Sequence, residues 1–316
     1  MLDQEEYLIS YANLNSSIFK HQKKFVSEKE LYNFYKFEFY GIPQCLPKNI
    51  KYFDYSNASF FKIDRYEFSK KIFNTKNIEY IGNKKFFRYG SNFAYNVKLK
   101  NKYKNKYNFY LKNIISVKKK IARIEKKFNK VCSMQIRNVP HHGHEAVFKY
   151  ILNNYDLLVL NPIFGIKKKN DFSNRFISKA LGYMEKKYTN LKFIPFWTNF
   201  YYGGPREAMH HLSMREMLGF KNFYIGRDHA GAENNYKPKE AVSMVIKYKK
   251  RFKIKSFTSD GGYFCSKCND YVIKGLCNHN MLLNISGTEF RKSLTENRLY
   301  KHADQKLQNI LFKSYD

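Results

Sequence analysis

From residue 131 onward, short apolar runs alternate with longer stretches in which apolar residues recur at helical spacing. The runs VCSM (131–134), DLLVLNPIFG (156–165), LKFIPF (191–196) and NFYIG (222–226) predict buried strands with their following loops. Between them EAVFKYILNNY (145–155), FSNRFISKALGYMEKKY (172–188) and PREAMHHLSMREMLGF (205–220) predict amphipathic or buried helices. Strands alternating with helices of this length indicate βαβ units and a parallel sheet, hence an α/β fold. Ligands in such sheets bind outside the carboxyl ends of the strands, and here those ends carry the unusual residues.

Residues 1–130 have another texture. They hold three of the fifteen glycines and are dense in Phe, Tyr and Lys. FYKFEFYG (34–41) and KNKYNFYLKN (104–113) alternate loosely and suggest short β-strands. SVKKKIARIEKKF (116–128) reads as a basic helix or linker. The expected organisation is a β-rich unit over 1–128, an α/β catalytic unit over 129–258, and a small C-terminal unit over 259–316.

Composition narrows the classes. With 43% hydrophobic and 18% aromatic residues in 316, a packed core is expected and disorder is excluded as the dominant state. No apolar run reaches the ~18 uncharged residues of a membrane span. The N-terminus MLDQEEYLIS carries acids where a secretory signal would carry bases, so a cytoplasmic protein is expected. The net charge of +32 invites a nucleic-acid reading. The excess is spread, however: +17 over residues 1–130 and +15 over the rest. Abundant Lys, Asn, Ile, Phe and Tyr fit compositional drift better than a binding stripe, and no specific nucleic-acid partner is expected.

Five strings carry candidate chemistry. Gln135-Ile136-Arg137-Asn138-Val139-Pro140-His141-His142-Gly143-His144 joins a strand to a helix, whose free N–H groups and dipole favour an anion. His141 and His144 there can donate to phosphate oxygens, and Gly143 allows close backbone approach. Gly226-Arg227-Asp228-His229-Ala230-Gly231 follows another strand and offers small residues with one guanidinium. Gly204-Pro205-Arg206-Glu207-Ala208 opens a helix, and Arg206 either reaches the site or pairs with a neighbour. Ser286-Gly287-Thr288-Glu289-Phe290-Arg291 suits a triphosphate, or is simply an N-capped helix with an exposed arginine. Cys265, Cys268, Cys277 and His279 offer three thiolates and an imidazole, a closed tetrahedral shell for a structural Zn²⁺. His210 and His211 read as packed histidines. His21, His302, Cys45 and Cys132 read as structural or surface residues.

In this order and with these separations, the strings resemble the ATP sulfurylase (sulfate adenylyltransferase) family, in its single-chain form. The resemblance covers about 130–316 and includes the loop of LLVLNPIFGIKKKND and the position of the cysteine cluster. It implies a Rossmann-like nucleotidyltransferase domain, a PUA-like N-terminal domain and a zinc-containing C-terminal domain. It implies the reversible reaction of ATP and sulfate to adenosine 5′-phosphosulfate and pyrophosphate, run toward the phosphosulfate in sulfate assimilation or toward ATP in sulfur oxidation. Mg²⁺ would enter as MgATP, and the family is usually homo-oligomeric. By motif match Gln135, Arg137 and the Ala230 backbone would bind sulfate. Asn138 would steady the α-phosphoryl group, His141 and His144 the β- and γ-phosphates, and Arg227 the transition state. Gln135, Gly226, Asp228, His229, Ser286, Thr288 and Arg291 would complete the nucleotide site.

Three positions depart from the family pattern: Ile136 where Thr is frequent, Val139 in place of the loop's first proline, and Tyr201 where Arg is usual. No Gly-x-x-x-x-Gly-Lys-Ser/Thr segment of a fused adenylylsulfate kinase is expected. Two other readings stay open at this stage. One is a nucleotidyltransferase of the same superfamily with a different acceptor, and the other is a basic zinc-containing nucleic-acid-binding protein.

Overall fold

The computed structural model describes residues 4–16, 26–37, 50–84, 92–167, 171–227, 229–230, 235–237 and 239–313. His21, Cys45 and Asp228 lie outside the described residues.

The N-terminal third contains α1 (Glu5–Asn15), α2 (Glu28–Phe37), β1 (Phe53–Lys62), α3 (Arg65–Phe73), β2 (Phe93–Leu99) and the long helix α4 (Lys104–Lys127). β1 and β2 form an antiparallel pair. Two strand expectations are corrected here. KNKYNFYLKN belongs to α4, because Tyr110, Ile114, Val117 and Ile121 recur at three- and four-residue intervals and are buried on one face. Residues 34–37 of FYKFEFYG belong to α2, and 38–41 lie outside the described residues. The basic segment 116–128 forms the last turns of α4, with Phe128 as its C-cap.

Next come β3 (Val131–Met134), α5 (His142–Leu152), β4 (Leu157–Leu160), β5 (Ile163–Phe164), α6 (Asn174–Lys187), β6 (Leu191–Phe193) and β7 (Phe196–Trp197). They are followed by α7 (Pro205–Leu218), β8 (Asn222–Ile225), α8 (Glu240–Tyr248) and β9 (Lys255–Thr258). Five of the strands form one sheet in the order β6-β4-β3-β8-β9. All four pairings are parallel, with Val131 opposite Leu157 and Ser133 opposite Phe223. The chain leaves β3 toward β4 on one side and later returns to β8 on the other. β3 and β8 therefore border a topological switch point, where the connections diverge and open a crevice.

β3 and β4 are buried throughout, and alternate residues feed opposite faces. Val131, Leu157 and Val159 join a cluster with α4, α7 and α8, whereas Cys132, Leu158 and Leu160 join one with α5 and α6. The first cluster also holds Leu31, Ile63, Phe68 and Tyr80, so its apolar packing continues into the N-terminal third.

The C-terminal residues form an antiparallel sheet, β11-β10-β12, from β10 (Gly262–Cys265), β11 (Asp270–Ile273) and β12 (Leu282–Asn284). Helices α9 (Gly287–Thr295) and α10 (Gln305–Phe312) follow, burying Phe290, Leu294, Leu307 and Leu311 beside α5 and α6. No described helix is long and apolar enough to cross a membrane.

Candidate active site at the switch point

A cavity of about 700 Å³ opens at the carboxyl ends of β3 and β8. It is lined by Gln135, Arg137, Asn138, His141 and His144 after β3, and by Gly226, Arg227, His229 and Ala230 after β8. Thr288 closes it from α9, and Gly262 and Tyr263 from β10. Three distant loops meet there because the parallel sheet brings its strand ends to one edge and the C-terminal sheet packs across α5.

His141 is the N-cap of α5 and His144 its third residue. The His141 N–H lies 3.3 Å from His144 Nδ1, which accepts it, so the ring proton of a neutral His144 sits on Nε2. The two rings lie 4.0 Å apart. Burial, aided by the neighbouring histidines, pulls His141 down to about 2, and burial pulls His144 down to about 4. Both are neutral donors at physiological pH. His141 Nδ1 and Gln135 Oε1 are buried with no hydrogen-bond partner among the described residues.

Asn138 is oriented by Arg291, whose Nη2 donates to its Oδ1 at 2.9 Å. Arg291 itself does not line the cavity, and its guanidinium carbon sits 5.5 Å from the Phe172 ring. Ser286 is likewise outside the lining; its hydroxyl accepts from the Glu289 N–H at 3.1 Å and caps α9. Arg206 turns away from the cavity and donates to the Tyr32 hydroxyl at 3.2 Å, so it pairs with a neighbour.

His229 contacts the second of the packed histidines. His211 Nδ1 and His229 Nε2 are 2.8 Å apart, and His211 Nε2 lies 3.6 Å from Glu207 Oε1. Burial pulls His229 down to about 3 and pushes His211 well below its usual value. His211 therefore does more than pack, since it also reaches the cavity wall. Glu207 accepts backbone N–H groups from Tyr201 and Gly203 at 3.2 and 3.0 Å, fixing the turn into α7. Ala230 has φ 57°, in the left-handed region. Ile136, Val139 and Tyr201, the departures, are all buried.

Gly143 has a role that spacing did not reveal. A Cβ on Gly262 would fall 2.1 Å from the Gly143 carbonyl oxygen, so the two glycines mark a backbone crossing between α5 and β10. Tyr263, one residue further, accepts a hydrogen bond from Arg227 Nη1. No local signal marked either residue.

The Cys/His cluster lies beyond this crossing. Cys265, Cys268, Cys277 and His279 place their ligand atoms within 4.8 Å of one another. Cys277 Sγ is 3.6 Å from Cys265 Sγ and 3.7 Å from Cys268 Sγ. His279 Nδ1 is 3.6, 3.2 and 3.5 Å from Cys265, Cys268 and Cys277. A tetrahedral ion bonded at ~2.3 Å to sulfur and ~2.0 Å to nitrogen spaces two sulfurs ~3.8 Å apart and a sulfur and a nitrogen ~3.6 Å apart. The separations among the four side chains are therefore compatible with one tetrahedral ion, His279 included.

A switch-point cavity walled by arginines, neutral imidazoles and a helix N-terminus defines an α/β protein with a site suited to an anion. The ATP-sulfurylase family profile matches residues 116–301, and the chain belongs to that family. It is 32% identical over 237 residues to a sulfate adenylyltransferase of Pyrococcus abyssi (strain GE5 / Orsay), covering 73% of this chain and 62% of that one. To the sulfate adenylyltransferase of Ignicoccus hospitalis (strain KIN4/I / DSM 18386 / JCM 14125) it is 36% identical over 179 residues, 55% of this chain and 47% of that one. The chain thus spans less than two thirds of the length of these curated relatives.

Proposed function

We propose that this protein is a sulfate adenylyltransferase, converting MgATP and sulfate to adenosine 5′-phosphosulfate and pyrophosphate, reversibly. The observation that carries this reading is the convergence of Gln135, Arg137, Asn138, His141, His144, Arg227 and Ala230 on one cavity, in a member of this family.

Gln135, Arg137 and the Ala230 backbone hold the sulfate dianion. Its oxygen attacks the α-phosphorus in line, an S–O–P bridge forms, and the bond from the α-phosphorus to the pyrophosphate oxygen breaks. No proton need move, and no serine or cysteine lines the cavity among the described residues. Asn138, held by Arg291, steadies the α-phosphoryl oxygens. His141 and His144 donate to the β- and γ-phosphates, and Arg227 offsets charge that builds on the transferring group. Gly226, Asp228, His229 and Thr288 shape the nucleoside end, with Ser286 and Arg291 supporting it from behind. Sulfate is a poor nucleophile, so alignment and preorganised charge supply most of the rate.

The metal of the Cys/His cluster is zinc on this reading. Its closed shell suits a structural role. Residues 129–258 form the nucleotidyltransferase domain and 259–316 the zinc-bearing one, while 1–128 occupy the place of a PUA-like domain. The enzyme works in the cytoplasm as a homo-oligomer.

The test is to mix the protein with adenosine 5′-phosphosulfate, pyrophosphate and Mg²⁺ and measure ATP against a His144→Ala control. ATP from the unmodified protein alone supports the reading. No ATP from folded, metal-loaded protein overturns it in favour of another acceptor.

A further inference from the structure

Two consecutive residues of β10 each touch one half of the cavity. Gly262 crosses Gly143 at the N-terminus of α5, and Tyr263 meets Arg227 from the loop after β8. Both sit within three residues of the cluster ligand Cys265 on the same strand. Tyr263 and Cys265 are separated by two positions, so their side chains share a face of the sheet, and both are buried. β10 is the central strand: Tyr263 lies opposite Val272 on one side and Asn284 on the other.

Arg227 is a long side chain on a loop whose backbone turns left-handed at Ala230. Freezing such a side chain costs rotamer entropy. Tyr263 supplies a fixed acceptor for Nη1, and its ring centroid lies 5.8 Å from the guanidinium carbon. Its backbone in turn is paired on both sides, opposite Val272 and Asn284.

We propose that Tyr263 is a positioning residue that holds the Arg227 guanidinium toward the cavity. This rests on the sulfate adenylyltransferase reading for its rate effects, but its geometric content does not. Pairing on both sides fixes the β10 backbone at Tyr263, and Tyr263 fixes Arg227.

The experiment is a double-mutant cycle on the full-length, metal-loaded protein: unmodified, Tyr263→Phe, Arg227→Ala and the double variant. ATP formation from adenosine 5′-phosphosulfate and pyrophosphate is read alongside the calorimetric affinity for MgATP. Tyr263→Phe keeps the ring and loses only the acceptor, so melting temperature and one metal ion per chain should be retained. Its kcat should fall about 10- to 100-fold with KM for adenosine 5′-phosphosulfate within about 3-fold, and MgATP should bind about 3- to 10-fold more weakly. In the Arg227→Ala background the same change should have no further effect beyond about 2-fold. Tyr263→Phe indistinguishable from the unmodified protein, or losses that multiply in the double variant, would overturn the proposal. If the unmodified protein makes no ATP, the activity reading fails on its own. The cycle in MgATP affinity then still decides the role of Tyr263.

Discussion

Replacing Gly262 by alanine tests how tightly the two halves of the cavity are registered. The added Cβ would lie 2.1 Å from the Gly143 oxygen and 2.8 Å from its carbonyl carbon and Cα. Carbon and oxygen at rest sit ~3.3 Å apart or more, so α5 and β10 must separate by about 1.2 Å. Both partners are backbone, so no side chain can swing aside. The shift falls between the helix turn that carries His141 and His144 and the strand whose Tyr263 holds Arg227, so the two halves of the cavity lose register. A misplacement of ~1 Å between reacting groups costs about 100-fold in rate, or ~2.7 kcal/mol. Overpacking itself removes about 1–3 kcal/mol of stability. Gly262→Ala should therefore fold with a melting temperature several degrees lower, keep its metal, and lose about two orders of magnitude in kcat for ATP formation. Gly182→Ala is the control, since nothing lies within 4 Å of a Cβ there, and it should be neutral or slightly stabilising. Gly262→Ala with unmodified kcat would refute the claim that this crossing sets the distance between the two loops.

Three further outcomes are expected. Arg291→Ala should free Asn138 and lower kcat about 10-fold, with a smaller change in MgATP affinity, by steady-state kinetics and calorimetry. Cys265→Ser should lose both the metal, by elemental analysis, and thermal stability, because a closed shell of four ligands then has three. On acidification, stability should decline in two stages, read from denaturant midpoints at several pH values. His141, His144 and His229 are held low in the folded state, so the unfolded chain takes up their protons as pH falls below about 6.5, at about 1 kcal/mol per pH unit per histidine. Burial alone would raise Glu145, but hydrogen bonds from His142, Lys187 and Tyr188 bring it to about 2, so its contribution is lost only as pH falls below about 4.5. A flat profile between pH 7 and pH 5 would contradict the burial of the imidazoles.

The sheet was legible because its central strands are buried on both faces and so read as unbroken apolar runs, VCSM and LLVL among them. Helices α5, α6 and α7 were legible from periodicity and from Pro205 at a first helical position. The N-terminal third was harder. Its Tyr- and Phe-rich stretches have β-propensity, but in 104–113 the packing of Tyr110 and Ile114 into a helical stripe decided the outcome. The two motifs at strand ends meet on one cavity, because each is a local string at a place where an open parallel sheet puts a ligand. Gly262, Tyr263 and Glu207 were missed in their actual roles. A glycine crossing between residues 143 and 262 and a bond between residues 227 and 263 arise only when the C-terminal sheet docks on α5, and no local spacing encodes that. Ser286 and Arg206 show the converse, since sequence left each with two roles and packing selected a helix cap for one and Tyr32 for the other.

The charge of the cavity also separates the site from the basicity of the chain. Of the described Lys and Arg side chains, only Arg137 and Arg227 line it, beside the acids Glu207 and Asp260. Asp260 is paired at 2.6 Å with Lys239. The imidazoles that face the cavity are neutral, so they offer donors without the cost of burying additional cations. Bound triphosphate would favour their protonated forms, so ligand binding should take up protons as pH approaches the imidazole range. An anion cradle of this design depends on where a few donors point, and the net charge of +32 contributes little to it. Salt should accordingly weaken any nonspecific polyanion binding far more steeply than it weakens MgATP binding at the switch point.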